Sequence, residues 1–331
     1  MKRPLKVLTW HVHSNYLYYL SQVNGIFYLP VKSPAESGYV GRTPNFPWGK
    51  NVKEIPAEEV KYMDFDCILF QSNYNPSRST QNFLEEQVAV LSDDQLRNTP
   101  KVFLEHDPPR NHPTDTKHLL YNSSIPLVHV TSFNQLMWDC GRTPTRVIEH
   151  GVPTPKNRRN RGQKQKGVVV INNLSQRGRR LGLDIFETVS KKIPLDLIGM
   201  GSESVGGLGE ISPLELPQVL SEYRFFFYPA RYTSLPLSLI EAMMAGLPVV
   251  TFATTELPTV ITNDKNGYAS TSLPFLIGKM KLLLDDENLS FRLGNEAQKT
   301  AQKRFSIQRF ISDWKQCFTT VALGSEVVAF L

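Results

Sequence analysis

The sequence predicts an α/β protein of two domains, each built on a parallel sheet with helices packed against it. Its 331 residues are about twice the length of an ordinary compact domain, so we expect two domains with a cleft between them. Hydrophobic residues make up 40% of the chain and charged residues 21%, which is typical of globular proteins and excludes a disordered or fibrous chain. Short apolar runs alternate with helical segments in both halves, and this alternation indicates parallel sheets.

The predicted elements fall into two groups, residues 1–152 and residues 167–305. Strands are predicted where a short apolar run is bounded by polar or proline-containing stretches, and helices where apolar residues recur at helical spacing. In the first group the strands are Leu5–Trp10, Cys67–Phe70, Lys101–Leu104 and Leu127–Val130, and the helices are Thr80–Leu91 and Asn134–Cys140. In the second group the strands are Gly167–Ile171, Leu195–Ile198, Phe225–Tyr228 and Pro248–Phe252, and the helices are Gly182–Lys192, Leu214–Glu222 and Leu237–Ala245.

A further helix is predicted at the C-terminus, within residues 306–331. Ser306 suits its N-cap, and apolar side chains follow on one face at offsets 0, 3, 4, 7, 11 and 14 from Ile307. Such a face has to pack on protein. The helix either covers its own domain or crosses back to the first one, and the periodicity fits both.

The excess positive charge is confined to residues 153–166, which we interpret as the interdomain linker. The formal net charge of the chain is +6. Without the basic residues of this segment the chain has 31 basic and 31 acidic residues, so the charge gives no reason to expect a nucleic-acid partner. The alternative to a solvated linker is contact with an anionic membrane surface, where each basic residue contributes about 1 kcal/mol. The six residues are Lys156, Arg158, Arg159, Arg161, Lys164 and Lys166.

Three features favour a cytoplasmic protein, with peripheral contact at the inner membrane surface as the variant that the basic linker allows. Cys67, Cys140 and Cys317 are far apart and odd in number, so they indicate neither a disulfide framework nor a Cys-x-x-Cys metal site. The N-terminal segment lacks the pattern of a secretory signal peptide. The apolar runs are all shorter than the ~18–20 residues that cross a bilayer.

The segment Tyr228–Met243 is the most informative for function. It runs from a predicted strand through a polar turn into a helix that begins near Pro236, and proline suits a first helical turn because it has no amide hydrogen to lose there. The backbone N–H groups of residues 237–239 favour an anion such as a diphosphate. Glu241 lies just over one turn further, where its carboxylate can accept hydrogen bonds from the two hydroxyls of a ribose. The alternative is that Glu241 only caps its own helix.

This segment resembles the C-terminal signature of glycosyltransferase family four, whose members are retaining enzymes of the GT-B fold. The family pattern is a Glu, seven residues, and a second Glu followed by Ala-Met-Ala-x-Gly-x-Pro-Val-Val. The chain has Glu241-Ala-Met-Met-Ala-Gly-Leu-Pro-Val-Val250, and then Glu256-Leu257-Pro258 and Asn266-Gly267-Tyr268 in family order. Weaker similarity extends to Leu197–Gly201, Arg304–Ser306, Val130–Ser132 and Glu149–Pro153.

The resemblance implies two Rossmann-like domains facing each other across a cleft, with a nucleoside-diphosphate sugar bound mainly to the second. Glu241 would then hold the nucleotide ribose. The family's first Glu falls on Thr233, whose hydroxyl carries no charge, so the contact with the donor sugar would differ from the usual one. The base would be read by backbone contacts between Gly199 and Ile211. The remaining donor contacts implied in the turn and helix start are Ser234, Leu235, Leu237 and Ser238.

A departing diphosphate needs positive charge, and the loop after the first strand of the second domain carries three arginines within residues 177–180. The resemblance implies an Arg and a Lys on the phosphates there. We favour Arg180, followed by Arg177, because a guanidinium can bind phosphate through two hydrogen bonds. The alternative is a solvated basic turn.

In the first domain, two loops at strand ends are candidates. Glu105-His106-Asp107 resembles the family's His at a strand end, which implies that His106 faces the transferred sugar; the alternative is a solvated loop histidine. Ligands of open α/β sheets bind at the carboxyl ends of strands, which favours the first interpretation. In the loop after the first strand, His13, Ser14 and Asn15 replace the glycines of relatives, and we expect them to contact phosphate or acceptor.

Two apparent motifs are set aside. Asp64-Phe65-Asp66 has the Asp-x-Asp form of a metal site in another glycosyltransferase fold, but it directly precedes a predicted strand and the GT-B enzymes that the chain resembles do not require such a metal. Gly199-x-Gly201 is too short for a dinucleotide fingerprint. We therefore expect no metal and no cofactor other than the donor itself.

The expected function is metal-independent transfer of a sugar to a glycan, lipid or other hydroxyl acceptor, as in polysaccharide biosynthesis. One alternative is a nucleotide-sugar epimerase or hydrolase of the same fold. The other is a non-catalytic protein that binds a nucleotide sugar or glycan, which Thr233 and the missing glycines favour.

Overall fold

The computed structural model describes residues 3–71, 83–155 and 162–324 of the chain. Two α/β units are present: residues 1–151 together with 308–331, and residues 152–307. The first contains a seven-stranded sheet and the second a five-stranded sheet. All strand pairs in both sheets are parallel. The predicted α/β fold class is confirmed.

The first sheet is open and reverses its strand order once. Its strands are β1 (Leu5–Thr9), β2 (Gly25–Val31), β3 (Val52–Pro56), β4 (Cys67–Gln71), β5 (Lys101–Glu105), β6 (Leu127–His129) and β7 (Thr145–Val147). They are arranged in the order β3-β2-β1-β4-β5-β6-β7. The order reverses between β1 and β4, and ligands of such sheets bind beside the carboxyl ends of strands at a reversal.

The four helices described in the first unit before the linker are short. The helices are α1 (Ser14–Leu20), α2 (Phe83–Ala89), α3 (Asp93–Asn98) and α4 (Ser132–Met137). Strand β4 is buried along its whole length, which explains why it is a continuous apolar run in the sequence. Strand β2 escaped prediction because Pro30 interrupts it. The predicted helix Thr80–Leu91 is present as α2, and its residues 80–82 lie outside the described part of the chain.

The second sheet also reverses its order once. Its strands are β8 (Lys164–Val170), β9 (Leu195–Ile198), β10 (Tyr223–Tyr228), β11 (Val249–Thr251) and β12 (Gly267–Ala269), in the order β12-β11-β10-β8-β9. Its helices are α5 (Leu174–Arg177), α6 (Leu183–Ser190), α7 (Leu216–Ser221), α8 (Leu237–Ala245), α9 (Leu257–Val260), α10 (Leu273–Asp285) and α11 (Glu287–Arg304). The reversal lies between β8 and β10.

The end of the predicted linker, residues 153–166, was placed too late in the chain. Strand β8 begins at Lys164 because that residue pairs with Tyr223 of β10. The ammonium group of Lys164 binds Glu222 at 2.9 Å, and that of Lys166 binds Asp196 at 2.9 Å. Two of the six basic residues are therefore neutralised within the sheet. Residues 156–161 lie outside the described residues, so membrane contact through them stays a prediction.

The C-terminal helix α12 (Ile307–Ala322) packs on the first unit, to which residues 308–331 belong. Its predicted apolar face includes Phe310 and Trp314, both fully buried. The Trp314 indole donates a hydrogen bond of 3.0 Å to the Tyr16 hydroxyl of α1. A Cβ at Gly151 would lie 2.1 Å from Phe310, so only glycine allows this approach. Of the two alternatives that the periodicity left open, the structure shows the return to the first unit.

Candidate functional site

The second unit brings the turn of residues 229–236 and the start of α8 to the reversal in its strand order. The turn follows β10 directly, and β10 is a neighbour of β8. The Ser238 hydroxyl donates to the carbonyl oxygen of Val170, the last residue of β8, over 3.1 Å. This bond ties the start of α8 to the carboxyl end of β8, the edge at which parallel sheets bind ligands.

Helix α8 begins without a side-chain cap. Pro236 is its N-cap residue and has an extended backbone, with ψ at 143°. The backbone N–H groups of Leu237 and Ser238 have no intrahelical partner, and no carbonyl in the described part of the chain accepts from them. These two groups and the helix dipole favour an anion. The Ser238 hydroxyl is directed to β8, so an anion here would meet its amide rather than its side chain.

Glu241 lies in the buried part of α8. It is 5% exposed, and all seven residues from 239 to 245 are buried. The N-cap position belongs to Pro236, so Glu241 does not cap this helix. Burying a carboxylate is costly unless polar groups receive it, and α8 is otherwise apolar in this stretch. The carboxylate therefore depends on polar groups outside this stretch of α8, and its contact with ribose stays a prediction.

The turn before α8 is closed rather than solvated. Thr233, Ser234 and Leu235 are all buried. The Thr233 hydroxyl can both donate and accept a hydrogen bond, whereas a carboxylate at the same place would only accept. Contacts of these three residues with a donor stay predictions.

The arginines near this turn bind different partners. Arg231 binds Asp184 through two hydrogen bonds, of 2.7 and 2.8 Å, and Arg179 reaches the same carboxylate at 2.7 Å. The Arg231 hydrogen bond holds the pKa of Asp184 below its usual value, and the charge of Arg179 adds to this. The Arg180 guanidinium instead donates to the carbonyl oxygen of Tyr232, at 3.3 Å. Arg180 thus lies against the turn, with its charge outside that ion pair.

Arg177 is the last residue of α5 and is half-buried. No acidic side chain in the described ranges pairs with its guanidinium. Both favoured phosphate ligands, Arg180 and Arg177, therefore lie outside the ion pairs of Asp184, whereas Arg179 is bound to it. Binding of phosphate by either residue stays a prediction.

The loop after β9, expected to contact the base, packs against the loop after β8. Gly199 has a φ of +141°, and a Cβ there would lie 2.6 Å from the carbonyl oxygen of Ile171. The Gly199 amide donates to the Gly209 carbonyl at 2.8 Å, which closes the loop. Ile211 is half-buried in the stretch that follows. Close packing therefore explains why residue 199 is a glycine. The roles of Gly199 and Ile211 toward a base stay predictions.

The other motifs that resemble the family hold the second unit together. Glu256 is 3% exposed and binds Arg304 at 2.9 Å, so two motifs 48 residues apart meet in one buried ion pair. The Asn266 side chain donates to the Val260 carbonyl and accepts from the Thr262 amide, at 2.9 and 2.8 Å. These contacts give both motifs a structural role.

In the first unit, His106 lies in a fixed turn directly after β5. The Glu105 carboxylate accepts from the Asp107 amide at 2.9 Å, and the Asn134 side chain donates to the His106 carbonyl at 3.1 Å. His106 is buried, and its imidazole meets the His13 ring edge-on with 4.4 Å between centroids. His106 is therefore not a solvated loop residue, which removes that alternative. Its contact with a sugar stays a prediction.

The expected loop of His13, Ser14 and Asn15 is wrong as secondary structure. Ser14 and Asn15 form the first turn of α1, and His13 is its N-cap residue. His11 Nδ1 donates to the Gly41 carbonyl oxygen, so His11 Nε2 carries a lone pair. It accepts a hydrogen bond of 2.7 Å from the Ser14 hydroxyl. Contact of this segment with phosphate or acceptor stays a prediction.

Neither Asp66 nor a cavity in the first unit lies at the carboxyl edge of the first sheet. The Asp66 carboxylate binds Arg3 at 2.7 and 2.8 Å and the Lys6 amide at 2.8 Å. A cavity of about 560 Å³ lies beside Leu5 and Gly25, at the amino ends of β1 and β2. Across residues 3–71, 83–155 and 162–324, no group of three or more His, Cys, Asp or Glu side chains is placed to hold a metal ion. No helix within these ranges is long and apolar enough to cross a bilayer.

Comparison with known proteins finds a family model that matches part of the second unit. Residues 200–300 match the family model of glycosyl transferases group 1. The matched segment lies within the second unit. The match includes the whole of β10, the turn and α8, and thus Thr233 and Glu241. The resemblance stated from the sequence is confirmed.

The curated relative that the chain resembles is distant. An uncharacterized glycosyltransferase from Haemophilus influenzae is 21% identical over 222 residues, which cover 60% of this chain and 62% of the relative. The chain thus spans about three fifths of the length of the curated relative it matches.

Solved structures show that the fold is GT-B. Sucrose-phosphate synthase from Thermosynechococcus elongatus has a TM-score of 0.68 and 15% identity, with 98% of this chain and 100% of that chain covered. Anabaena HepE, solved in complex with UDP-glucose, has a TM-score of 0.64 and 13% identity, with 96% and 100% covered. At these identities the likeness concerns the fold.

Several residues of the site region were missed by reading the sequence. Asp184 and Arg231 are 47 residues apart, and Gln71 and His106 are 35 residues apart. Each pair is joined only by folding, so no local spacing could reveal it. Gln71 had one signal in the sequence, since it is a polar residue at the end of an apolar strand.

Proposed function

We propose that the protein transfers a sugar from a nucleoside-diphosphate sugar to a hydroxyl acceptor such as a glycan or lipid, with retention of configuration. The observation that carries the proposal is the start of α8. It is an uncapped helix end at the carboxyl edge of the second sheet, just over one turn from the buried Glu241, within the segment that matches group 1 glycosyl transferases.

The proposed donor contacts follow from this arrangement. Glu241 accepts hydrogen bonds from the ribose hydroxyls, and the amides of Leu237 and Ser238 bind the diphosphate. Thr233 contacts the sugar. HepE was solved with UDP-glucose and pneumococcal GtfA with UDP and GlcNAc, which supports a uridine nucleotide as the first donor to test.

The proposed chemistry depends on positive charge at the leaving diphosphate. Negative charge grows there as the glycosidic bond breaks, and preorganised donors stabilise it without a reorganisation cost. Arg180, Arg177 and the start of α8 supply this charge, so the proposal includes transfer without a divalent metal. Activity is then retained in excess chelator. His106 is the residue of the first unit that we propose to be required for transfer.

A thermal-shift panel of uridine, guanosine and adenosine diphosphate sugars tests donor binding. A ligand at 100 times its Kd adds ~2.7 kcal/mol to the free energy of unfolding, so the correct nucleotide should stand out. Replacing Glu241 with Gln removes a charged acceptor and should weaken donor binding by about 10- to 150-fold. Glu187→Gln, at an exposed position of α6, is the matched control. Equal binding by the Glu241→Gln variant and the wild type would overturn the site assignment.

Incubation with donor alone separates transfer from its alternatives. Stoichiometric loss of donor without an acceptor favours a hydrolase or epimerase. Thr233, in place of the family's first Glu, is the observation that favours a non-catalytic nucleotide-sugar-binding protein. That candidate predicts tight binding of one donor with no turnover on any acceptor.

A further inference from the structure

The Gln71 side chain lies at the order reversal of the first sheet, with its orientation fixed by β1. Its Nε2 donates to the Thr9 hydroxyl at 2.8 Å and to the Trp10 carbonyl at 3.1 Å. The Thr9 hydroxyl uses its own hydrogen on the Leu69 carbonyl, at 3.0 Å, so it can only accept from Gln71. Both amide hydrogens are thereby directed to acceptors. The amide nitrogen of Gln71 faces β1, and its Oε1 faces the opposite way.

Helix α2 holds the backbone of Gln71 from the other side. The Gln71 N–H donates to Gln87 Oε1 at 3.2 Å, and Gln87 Nε2 donates back to the Gln71 carbonyl at 3.1 Å. All three side chains, of Thr9, Gln71 and Gln87, are fully buried. A buried network in which every member is satisfied is rigid. The direction of Gln71 Oε1 is therefore set before any ligand binds.

That oxygen faces His106. The distance from Gln71 Oε1 to His106 Nε2 is 3.2 Å. An amide oxygen has no hydrogen to give, so Nε2 must carry the proton and donate it. Burial lowers the pKa of His106 well below its usual value, and the charges of His13 and His150 act in the same direction. The ring is neutral at pH 7, so Nδ1 holds a lone pair.

The Nδ1 atom is available to a ligand. No side chain or backbone group among the described residues donates a hydrogen bond to it. Among the described residues, the rings of His13 and Tyr16 lie edge-on to the His106 ring, with centroids 4.4 and 4.8 Å away. The Glu105 carboxylate is turned to the Asp107 amide and to His118. The carboxyl edge at a reversal is where an open α/β sheet binds its ligands.

We propose that Gln71 is a positioning residue that locks His106 as the Nε2–H tautomer, so that Nδ1 accepts a hydrogen bond from a ligand hydroxyl. The hydroxyl as ligand rests on the proposed function, whereas the tautomer does not. A neutral ring in this tautomer offers no donor on its free side. His106 then recognises an alcohol, such as a sugar hydroxyl, and not a phosphate.

Long-range ¹H–¹⁵N NMR of the full chain, labelled at its seven histidines, reports the tautomer of each ring. The measurement needs neither a sugar donor nor a sugar acceptor. His106 is assigned by its loss in the His106→Asn variant. At pH 7 we expect a protonated Nε2 and an unprotonated Nδ1 in the wild type. A protonated Nδ1, or a mixture of tautomers, overturns the proposal.

A matched pair at Thr9 tests the positioning role. Thr9→Val removes the acceptor for the Gln71 amide and should give mixed tautomers at His106, whereas Thr9→Ser keeps the hydroxyl and should give the wild-type spectrum. If transfer is established, kcat/KM should fall about fivefold in Thr9→Val, the contribution of one neutral hydrogen bond, and be unchanged in Thr9→Ser. Identical spectra for the two variants would refute the role of Gln71, and absence of turnover in the wild type would count against the proposed function alone.

Discussion

At the scale of single residues, Arg179 and Arg180 are adjacent in the chain but have different surroundings. The Arg179 side chain is 75% exposed and bound to Asp184, whereas Arg180 is half-buried and donates to the Tyr232 carbonyl. An exposed ion pair contributes about 0–1 kcal/mol to the free energy of unfolding, so the pair of Arg179 with Asp184 adds little to the stability of the protein. Arg180 carries its charge beside the turn of residues 229–236, and it is the arginine that we propose to bind the diphosphate.

Replacing Arg180 with Ala tests this difference. We expect kcat for sugar transfer to fall about 100-fold, since losing one preorganised donor to a developing negative charge costs roughly 2.7–4 kcal/mol. Arg180→Lys should recover only part of the rate, because an ammonium group does not bind phosphate through two parallel hydrogen bonds. Steady-state kinetics of Arg179→Ala provides the control, with a change of about twofold or less. Equal losses in the two alanine variants would contradict the assignment.

At the scale of elements, the Asp184–Arg231 pair joins the first turn of α6 to the turn of residues 229–236. Arg231 also donates to the Arg179 carbonyl at 2.7 Å, so one guanidinium connects three segments. The pair is partly exposed, with 30% and 42% of the two side chains accessible. It therefore acts chiefly by fixing the position of the turn, with a modest contribution to stability.

The pH dependence of Asp184→Asn should show this contribution. The pKa of Asp184 in the folded chain is lowered from its usual 3.8, chiefly by the hydrogen bond from Arg231. Stability from the pair is therefore complete above that usual value and is lost as the pH falls through the lowered one. At pH 7 the variant should be less stable than wild type by about 1 kcal/mol or less, and the difference should shrink as the pH falls below 3.8. Thermal unfolding measured from pH 7 to pH 2.5 would contradict this if the difference stayed constant.

A second connection between elements is the ion pair of Glu256, before α9, with Arg304, at the end of α11. The carboxylate is almost fully buried, so removing Arg304 leaves a charge without its partner. We expect Arg304→Met to lower the free energy of unfolding of the second unit by about 3 kcal/mol. Lys303→Met, at an exposed position of the same helix, should change it by about 0.5 kcal/mol or less in the same denaturant titration. Similar values for the two variants would mean that the pair has little structural role.

At the scale of the whole molecule, the chain returns to its first unit through α12. Arg309 donates to the Glu149 carbonyl at 2.8 Å and also to the His150 carbonyl, so α12 holds the segment that leaves β7. Phe318 meets Phe27 of β2 edge-on, with ring centroids 6.2 Å apart. The first unit therefore includes a helix that lies more than 150 positions after its last strand, and we expect its stability to depend on that helix.

Hydrogen exchange should detect this dependence. Trp314→Ala removes a fully buried side chain and its bond to Tyr16, and truncations of this kind cost about 3–5 kcal/mol. Exchange should become faster in β1 and β2 and remain unchanged in β8 and β10. Gln316→Ala, at an exposed position of α12, serves as the control. Faster exchange in both sheets would show that the unfolding of the two units is coupled.

The sequence by itself determined the two-unit α/β architecture, the C-terminal helix and the position of the α8 motif. These features depend on local patterns: continuous apolar runs for strands buried on both faces, apolar residues at helical spacing, and a proline at the start of a helix. Strand β2 and helix α1 escaped prediction because Pro30 interrupts the first and polar residues begin the second. The linker boundary was misplaced because Lys164 and Lys166 pair with acids that lie far away in the chain.

Only the tertiary structure decided which charged and polar groups act together. The fold pairs residues that are 35 to 48 positions apart in the chain: Asp184 with Arg231, Glu256 with Arg304, and Gln71 with His106. Such pairs leave no periodic trace, because the residues are brought together by the packing of elements and not by their spacing along the chain. The physical reason is that apolar burial is specified residue by residue, whereas the partner of a polar group is chosen by the fold.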